Sequence, residues 1–262
     1  MPEGRRRDLP EGRDLRLSGP LQREGVQEDG GEDLTGHLPL LLDLSGRKVV
    51  IFGGGAVGER KARLFSQYAE VTVASLDFSP GIQQMAAEGA IDLVEVDLPS
   101  AAAVLLREAF IAIPATSDPD LNLRLEEMAK ASGVLVNRVD GVGEVVVPSV
   151  VGRGPVVVAV STLGESPALA RLLRERIETV LDEGYGDMAR LLGEMRGVLK
   201  ERVADQGERR RILFEIISDD RVWRLLSESY EKGYKRAGEH IPPDERDSLD
   251  AGDPPEGLHR RD

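Results

Sequence analysis

Gly53, Gly55 and Gly58 stand in a G-x-G-x-x-G spacing, between the apolar run Val49-Val50-Ile51-Phe52 and a stretch of helical periodicity. Three glycines in that order have separate uses. The first permits a tight turn, the second lets the backbone approach a pyrophosphate, and the third lets a helix pack close to the strand before it. The helix N-terminus then offers free N–H groups and a positive dipole end to the anion. The alternative is a glycine turn without a ligand, and the strand-then-helix setting favours the nucleotide. The acid that takes the ribose hydroxyls usually stands about 20 residues on, at the end of the second strand. Ala74 and Ser75 occupy that place, and Asp77 follows. Asp77 either reaches a ribose hydroxyl or caps the helix after Pro80. No arginine stands there to receive a 2′-phosphate, so NAD is favoured over NADP.

A second candidate is Asp140. It ends the run "VLVNRVD", at the edge where open α/β sheets bind ligands, and a carboxylate there suits a general base; the alternative is a cap for the next turn. Asn122 and Asn137 either fix loops around the cofactor or cap. The three histidines, His37, His240 and His259, are scattered, and neither an H-x-x-x-H pair nor a cysteine cluster exists, so no metal site is expected.

The elements that must position these residues follow from periodicity. The strands are Val49–Phe52, Glu70–Ala74, Ile91–Val96, Ala109–Thr116 and Val134–Asp140. Helices fall at Ala56–Tyr68, around Ile82 and Met85, at residues 101–108, and from Pro119, with Asp118 as its cap and Gly133 as its stop. Strands alternating with helices give an α/β fold, a Rossmann-like doubly wound parallel sheet. The rhythm changes after Gly141. Two β runs join through Gly152-Arg153-Gly154-Pro155, and a helix opens at Ser166-Pro167 with Leu169, Leu172, Leu173, Ile177 and Val180 on one face. Residues 185–236 read as two or three more helices, one of them capped by Ser218. "GERRRIL" is a solvated helix face rather than an RNA site.

Bulk composition sets limits. The 262 residues hold no cysteine, which fits a reducing, cytoplasmic setting. No apolar run approaches the roughly 20 residues needed to cross a bilayer, and the polar N-terminus has no secretory signal. Residues 1–35 carry nine acidic and six basic side chains, and residues 237–262 eight and three. Most of the net −13 therefore sits at the ends, which read as disordered. The remainder is not basic, so neither nucleic acid nor membrane is an expected partner.

"LPLLLDLSGRKVVIFGGGAVGERKARLF", "AIPATSDPDLNLRL", "VLVNRVD" and "VVVPSVVGRGPVVVAVSTLGESPALARLLRERIE" together resemble the N-terminal region of siroheme synthases, the precorrin-2 dehydrogenase/sirohydrochlorin ferrochelatase family. "GERRRILFEIISDDR" resembles the helical tail of the multifunctional members. The likeness covers about Leu38 to Leu226, and its most specific part is Ser-Pro-x-Leu-Ala-Arg. With no methyltransferase region after it, the chain resembles the stand-alone form.

The resemblance implies NAD-dependent oxidation of precorrin-2 to sirohydrochlorin and, in some members, insertion of Fe(II). It also implies a homodimer in which the segment after the Rossmann domain crosses to the partner. The expected division is a tail over 1–36, an NAD-binding domain over 37–144, a dimerisation segment over 145–184, a helical domain over 185–236 and a tail over 237–262. By position, Ala56, Val57, Leu76 and Asp77 match NAD-contacting segments, and Asp140 matches the catalytic aspartate. Arg138 replaces an apolar family residue, the loop Gly141–Glu144 lacks the common Cys-x-Phe, and Thr162 stands where some relatives carry a phosphorylatable serine. A polycarboxylate substrate calls for cations, and the candidates are Arg138, Arg153, Arg171 and Arg174, each with a solvated surface role as the alternative. The competing class is a non-catalytic Rossmann sensor of NAD or tetrapyrrole.

Overall fold

The computed structural model describes residues 36–242. Two units part after Leu42. Of the first, residues 36–42 are described, and they form neither helix nor strand. Both expected tails lie for the most part outside the described residues, and so does His259.

The second unit opens with a five-stranded parallel sheet. Its elements are β1 (Lys48–Gly54), α1 (Ala56–Phe65), β2 (Glu70–Phe78), α2 (Pro80–Ala87), β3 (Asp92–Glu95), α3 (Leu98–Leu105), β4 (Ala109–Pro114), α4 (Pro119–Ala131) and β5 (Leu135–Val136). The strand order is β3-β2-β1-β4-β5. β1 is central and apolar without a break, because both of its faces are covered. Val49 and Ile51 pack with Ala62, Phe65, Ile82 and Met85 from α1 and α2. Val50 and Phe52 pack with Leu98, Ala102, Leu125 and Ala129 from α3 and α4. Alternation along one strand thus feeds two cores, and each fully buried Ile or Phe contributes about 2–3 kcal/mol. The order reverses between β1 and β4, so the glycine turn after β1 sits at the switch point of the sheet.

Two strands differ from the sequence reading in ways that matter to the site. β2 does not end at Ala74. Its pairing with β1 passes from Phe52↔Ala74 to Gly54↔Phe78, so residues 75–77 bulge out of the ladder before it closes again. β5 pairs with β4 only at Leu135 and Val136. The Asn137 N–H still donates to Ala112 O at 3.0 Å. Beyond it the outer edge is taken by a returning loop: Val145 N–H donates to Val136 O, and Glu144 Oε2 accepts from Val136 N–H. Asp140 therefore lies on a loop after the strand, not at its end.

The next elements are an antiparallel hairpin, β6 (Ser149–Arg153) and β7 (Val156–Val160), and α5 (Pro167–Val180). The hairpin turn is Gly154-Pro155 alone, since Arg153 pairs with Val156. Ser166 Oγ caps α5 by accepting from Leu169 N–H at 3.2 Å. Among the described residues four helices follow: α6 (Glu183–Arg202), α7 (Gln206–Ser218), α8 (Asp220–Glu228) and α9 (Tyr230–Gly238). They share a core of Met188, Leu191, Met195, Leu199, Ile212, Ile216 and Leu226.

The sequence reading undercounts these helices because the breaks between them are short, a single residue at Asp219 and at Ser229. Asp182, Asp205 and Asp219 each accept from the N–H groups that open the next helix. Asp219, not Ser218, caps α8, and Ser218 is the last residue of α7. Order also runs past residue 236, since Ala237 and Ile241 are fully buried in this core.

Candidate active site at the carboxyl edge of the sheet

Three loops meet the carboxyl edge: the glycine turn after β1, residues 115–118 after β4, and residues 137–145 after β5. In the glycine turn each position has its own constraint. Gly53 holds φ +123, and a Cβ there would lie 2.5 Å from Ala115 O. A Cβ on Gly54 would lie 2.0 Å from Asp77 O, and one on Gly58 would lie 2.0 Å from Gly53 O. Gly55 is the exception: a Cβ there meets nothing within 4 Å. The turn is packed on three sides and open on the fourth, at the residue that precedes α1.

No side chain caps α1. Its first N–H groups, from Ala56 and Val57 onward, are therefore left for a ligand, with the positive end of the helix dipole behind them. The open space at Gly55 beside an uncapped helix start is what a pyrophosphate needs, so the residues present fit a dinucleotide.

The bulge in β2 brings the next two candidates to the same place. Leu76 and Asp77 are exposed, and the Asp77 backbone lies against Gly54. Asp77 is not the cap of α2. Ser79 is, accepting from Ile82 N–H at 3.3 Å while donating to Glu59 Oε2 at 2.7 Å. Hydrogen bonds from Ser79 and then Arg63 hold the Glu59 carboxyl below its ordinary range. This Glu59–Ser79 bond ties α1 to the end of β2, and sequence reading missed it, because a glutamate in a first helical turn looks like a dipole partner.

After β4, Asn122 braces the loop. Its Oδ1 accepts from Thr116 N–H at 2.9 Å and from Thr116 Oγ1 at 2.8 Å, and its Nδ2 donates to Thr116 O at 3.0 Å. Asp118 caps α4 through Asp120 N–H and Leu121 N–H, as expected.

After β5, Asp140 is exposed, and its Oδ1 accepts from Arg138 Nε at 3.2 Å. Arg138 Nε also lies 3.7 Å from Glu126 Oε2, which belongs to a largely buried side chain on α4. The Asp140 hydrogen bond, followed by the charge of Glu126, raises the Arg138 pKa further. A shallow depression lined by Pro114, Asn122, Glu126, Arg138 and Asp140 joins the second and third loops.

The four candidate arginines are not gathered with Asp140. Only Arg138 is beside it. Arg153 lies 3.3 Å from Glu183 and 3.9 Å from Glu178. Arg174 also pairs with Glu178, at 2.8 Å, and Arg171 pairs with Glu175 at 2.8 Å. Thr162 Oγ1 accepts from Ser166 N–H at 3.1 Å, ahead of α5. Of the histidines, His240 sits in the helical domain with its Nε2 3.1 Å from Asp219 Oδ2.

A family profile described as "Putative NAD(P)-binding" matches residues 40–149, and one described as "Sirohaem biosynthesis protein central" matches residues 153–179. A precorrin-2 dehydrogenase from Methanosarcina barkeri is 49% identical over 204 residues, which is 76% of this chain and 91% of that protein. The chain belongs to the precorrin-2 dehydrogenase family. Within that family its sheet has a solved counterpart, the precorrin-2 dehydrogenase SirC, at a TM-score of 0.59 and 26% identity over 78% of this chain and all of that one. A siroheme synthase from Salmonella schwarzengrund is 39% identical over 208 residues, but this member spans only 45% of that longer relative.

Proposed function

We propose that this chain oxidises precorrin-2 to sirohydrochlorin with NAD as the acceptor, and that Asp140 is the general base. The observation that carries the reading is the shared sheet edge: the open cradle at Gly55 and the Asp140 loop both lie at carboxyl ends of parallel strands. When bound, NAD supplies hydride acceptance. The chain's own residues do the rest. The backbone of Gly53, Gly55, Ala56, Val57 and Gly58 holds the pyrophosphate, and Leu76 and Asp77 border the ribose side. Asp140 takes the proton that leaves the macrocycle with the hydride. Arg138 keeps the Asp140 carboxylate turned toward the depression, with Glu126 behind it.

Carboxylates of the substrate are assigned to Arg153, Arg171 and Arg174. Their present partners are exposed or half-exposed surface glutamates, and such solvent-screened pairs contribute little, so a bound carboxylate displaces them readily.

A second copy of the chain is the proposed partner. Leu169, Leu172, Leu173 and Val180 are 36–55% exposed on α5, of which only Ala170 is buried. A contiguous apolar face of this kind marks an interface. Among the described residues no helix is long and apolar enough to cross a membrane.

The test is NADH formation on mixing the protein with NAD and precorrin-2. Absence of NADH with folded, NAD-binding protein would favour the sensor reading and sink this one. The same preparation given sirohydrochlorin and Fe(II) measures iron insertion separately.

A further inference from the structure

Lys61 lies midway along α1, one turn beyond the cofactor-facing end, and its side chain is half-buried. Its Nζ donates to Asn137 Oδ1 at 2.7 Å. That partner is a neutral amide oxygen rather than a carboxylate. Burial, followed by the nearby charge of Arg60, lowers the Lys61 pKa. An ammonium half withdrawn from water, with no ion pair to an acid among the described residues, is a cost to the fold, and an apolar side chain at this inward position would avoid it.

What the lysine grips explains its presence. Asn137 is 3% exposed and is the first residue of the loop that carries Asp140. Its Nδ2 donates to Val145 O at 2.7 Å, across the neck of that loop. Val145 N–H donates to Val136 O at 3.0 Å, and Glu144 Oε2 accepts from Val136 N–H at 3.2 Å. Gly143 completes the neck: a Cβ there would lie 2.8 Å from Val136 O. The loop 137–145 is thus pinched shut at its base; Lys61 fixes the pinch to α1, while Arg138, near Glu126, ties the next residue of the loop to α4. Of the two helices, α1 is the one that opens on the glycine turn.

We propose that Lys61 is a positioning residue for Asp140: by holding Asn137 it ties the nucleotide-binding helix to the neck of the Asp140 loop and sets the base against the bound cofactor. The inference rests on the reading of Asp140 as the base. It gives the coupling a physical route: a shift of α1 at the glycine turn moves the loop neck through one hydrogen bond. Its Nζ is engaged by Asn137, so Lys61 acts through the Asp140 loop and its effect must vanish when Asp140 is absent.

The experiment compares Lys61→Met and Lys61→Arg, each alone and each combined with Asp140→Ala. Lys61→Met is expected to lower kcat by about 10- to 100-fold, the scale of a base misplaced by about 1 Å. The NAD dissociation constant, measured by calorimetry without substrate, is expected to stay within about twofold, because the pyrophosphate cradle is intact. Amide hydrogen exchange should quicken by about tenfold or more at residues 138–145 while β1 and β4 keep their protection. Lys61→Arg, which retains charge and donor, should keep most of kcat. In the Asp140→Ala background, Lys61→Met should cause no further loss.

The inference is overturned by wild-type kcat in Lys61→Met, by an equal further loss in the Asp140→Ala background, or by Lys61→Arg being as slow as Lys61→Met. It is also overturned if Lys61→Met fails to fold or loses protection over the whole sheet, which would make the lysine merely structural. If Asp140→Ala alone leaves activity unchanged, the reading of the base fails instead, and the exchange measurement still reports whether Lys61 fixes the loop neck.

Discussion

Adding one methyl group at Gly55 and one at Gly58 separates holding the cofactor from holding the fold. Gly55 has φ −84 and ψ −170, a conformation open to any residue, and its new Cβ meets nothing. Gly55→Ala therefore loses only the glycine preference at a helix N-cap, about 0.5–1 kcal/mol. The melting temperature should fall by less than about 4 °C. The methyl does, however, fill the space through which the pyrophosphate reaches the α1 N–H groups. A loss of about 3 kcal/mol in cofactor binding is expected, or about 100-fold in Kd.

Gly58→Ala behaves differently. Its Cβ would stand 2.0 Å from Gly53 O, where even tight contacts keep at least 3.0 Å. Both groups are backbone, in one short turn, so the helix must move about 1 Å off the strand. Overpacking of that kind costs about 3 kcal/mol, or about 6–12 °C in melting temperature for a chain of this size. Calorimetric titration with NAD and a thermal melt of each variant decide the matter. If Gly55→Ala bound NAD within about threefold of wild type, the cradle would not be where the pyrophosphate sits, and the assignment of this turn would fail.

Arg138→Met should lower kcat by only about two- to fivefold, since the Arg138–Asp140 pair is partly exposed and worth about 0.5–1 kcal/mol; steady-state kinetics check this. Replacing Arg171 and Arg174 together by glutamine should raise the KM for precorrin-2 several-fold and leave the KM for NAD alone. Leu172→Glu places a charge in the exposed α5 stripe and should yield a monomer in sedimentation analysis, where the proposed wild-type dimer is expected to sediment as two copies.

Asp219 gives a pH prediction. Burial raises its carboxyl pKa, but the Arg221 N–H, Arg236 and His240 outweigh it and bring the value from 3.8 to about 2. Because the folded value is depressed, the stability it supplies is present above about pH 4 and is lost as pH falls toward 2. Denaturant unfolding should therefore show Asp219→Ala less stable by about 1–2 kcal/mol at neutral pH, with the gap narrowing as pH falls from about 4 toward 2.

The parts of this molecule that sequence reading found are those made by neighbours along the chain. The β1–glycine turn–α1 unit is local, its apolar alternation is unbroken, and its glycines are fixed by contacts that any such unit must make. The cap at Asp118 and the cap at Ser166 are local too. The misreadings share a cause in bonds between distant residues. β5 looks longer in sequence than it is because the edge of Val136 is taken by Glu144 and Val145, eight and nine residues on. β2 looks shorter because its bulge returns to the ladder only where Gly54 meets Phe78. Lys61 was hidden for the same reason. At helical spacing it reads as one more inward position, and only the fold reveals that its partner, 76 residues away, holds the loop of the candidate base. The pairs of Arg171 with Glu175 and Arg174 with Glu178 are legible in their four-residue spacing, whereas Arg153 of the hairpin meets Glu178 and Glu183 only through the fold.

The central claim is that Asp140 supplies the base for oxidation at a cradle that holds NAD independently of it. The most direct test follows NADH appearance with precorrin-2 for wild type and Asp140→Ala, beside calorimetric NAD binding for both. The account predicts NADH from wild type, a loss of about 100-fold or more in Asp140→Ala, and equal NAD affinity in the two proteins. NADH formed at the wild-type rate by Asp140→Ala would contradict it.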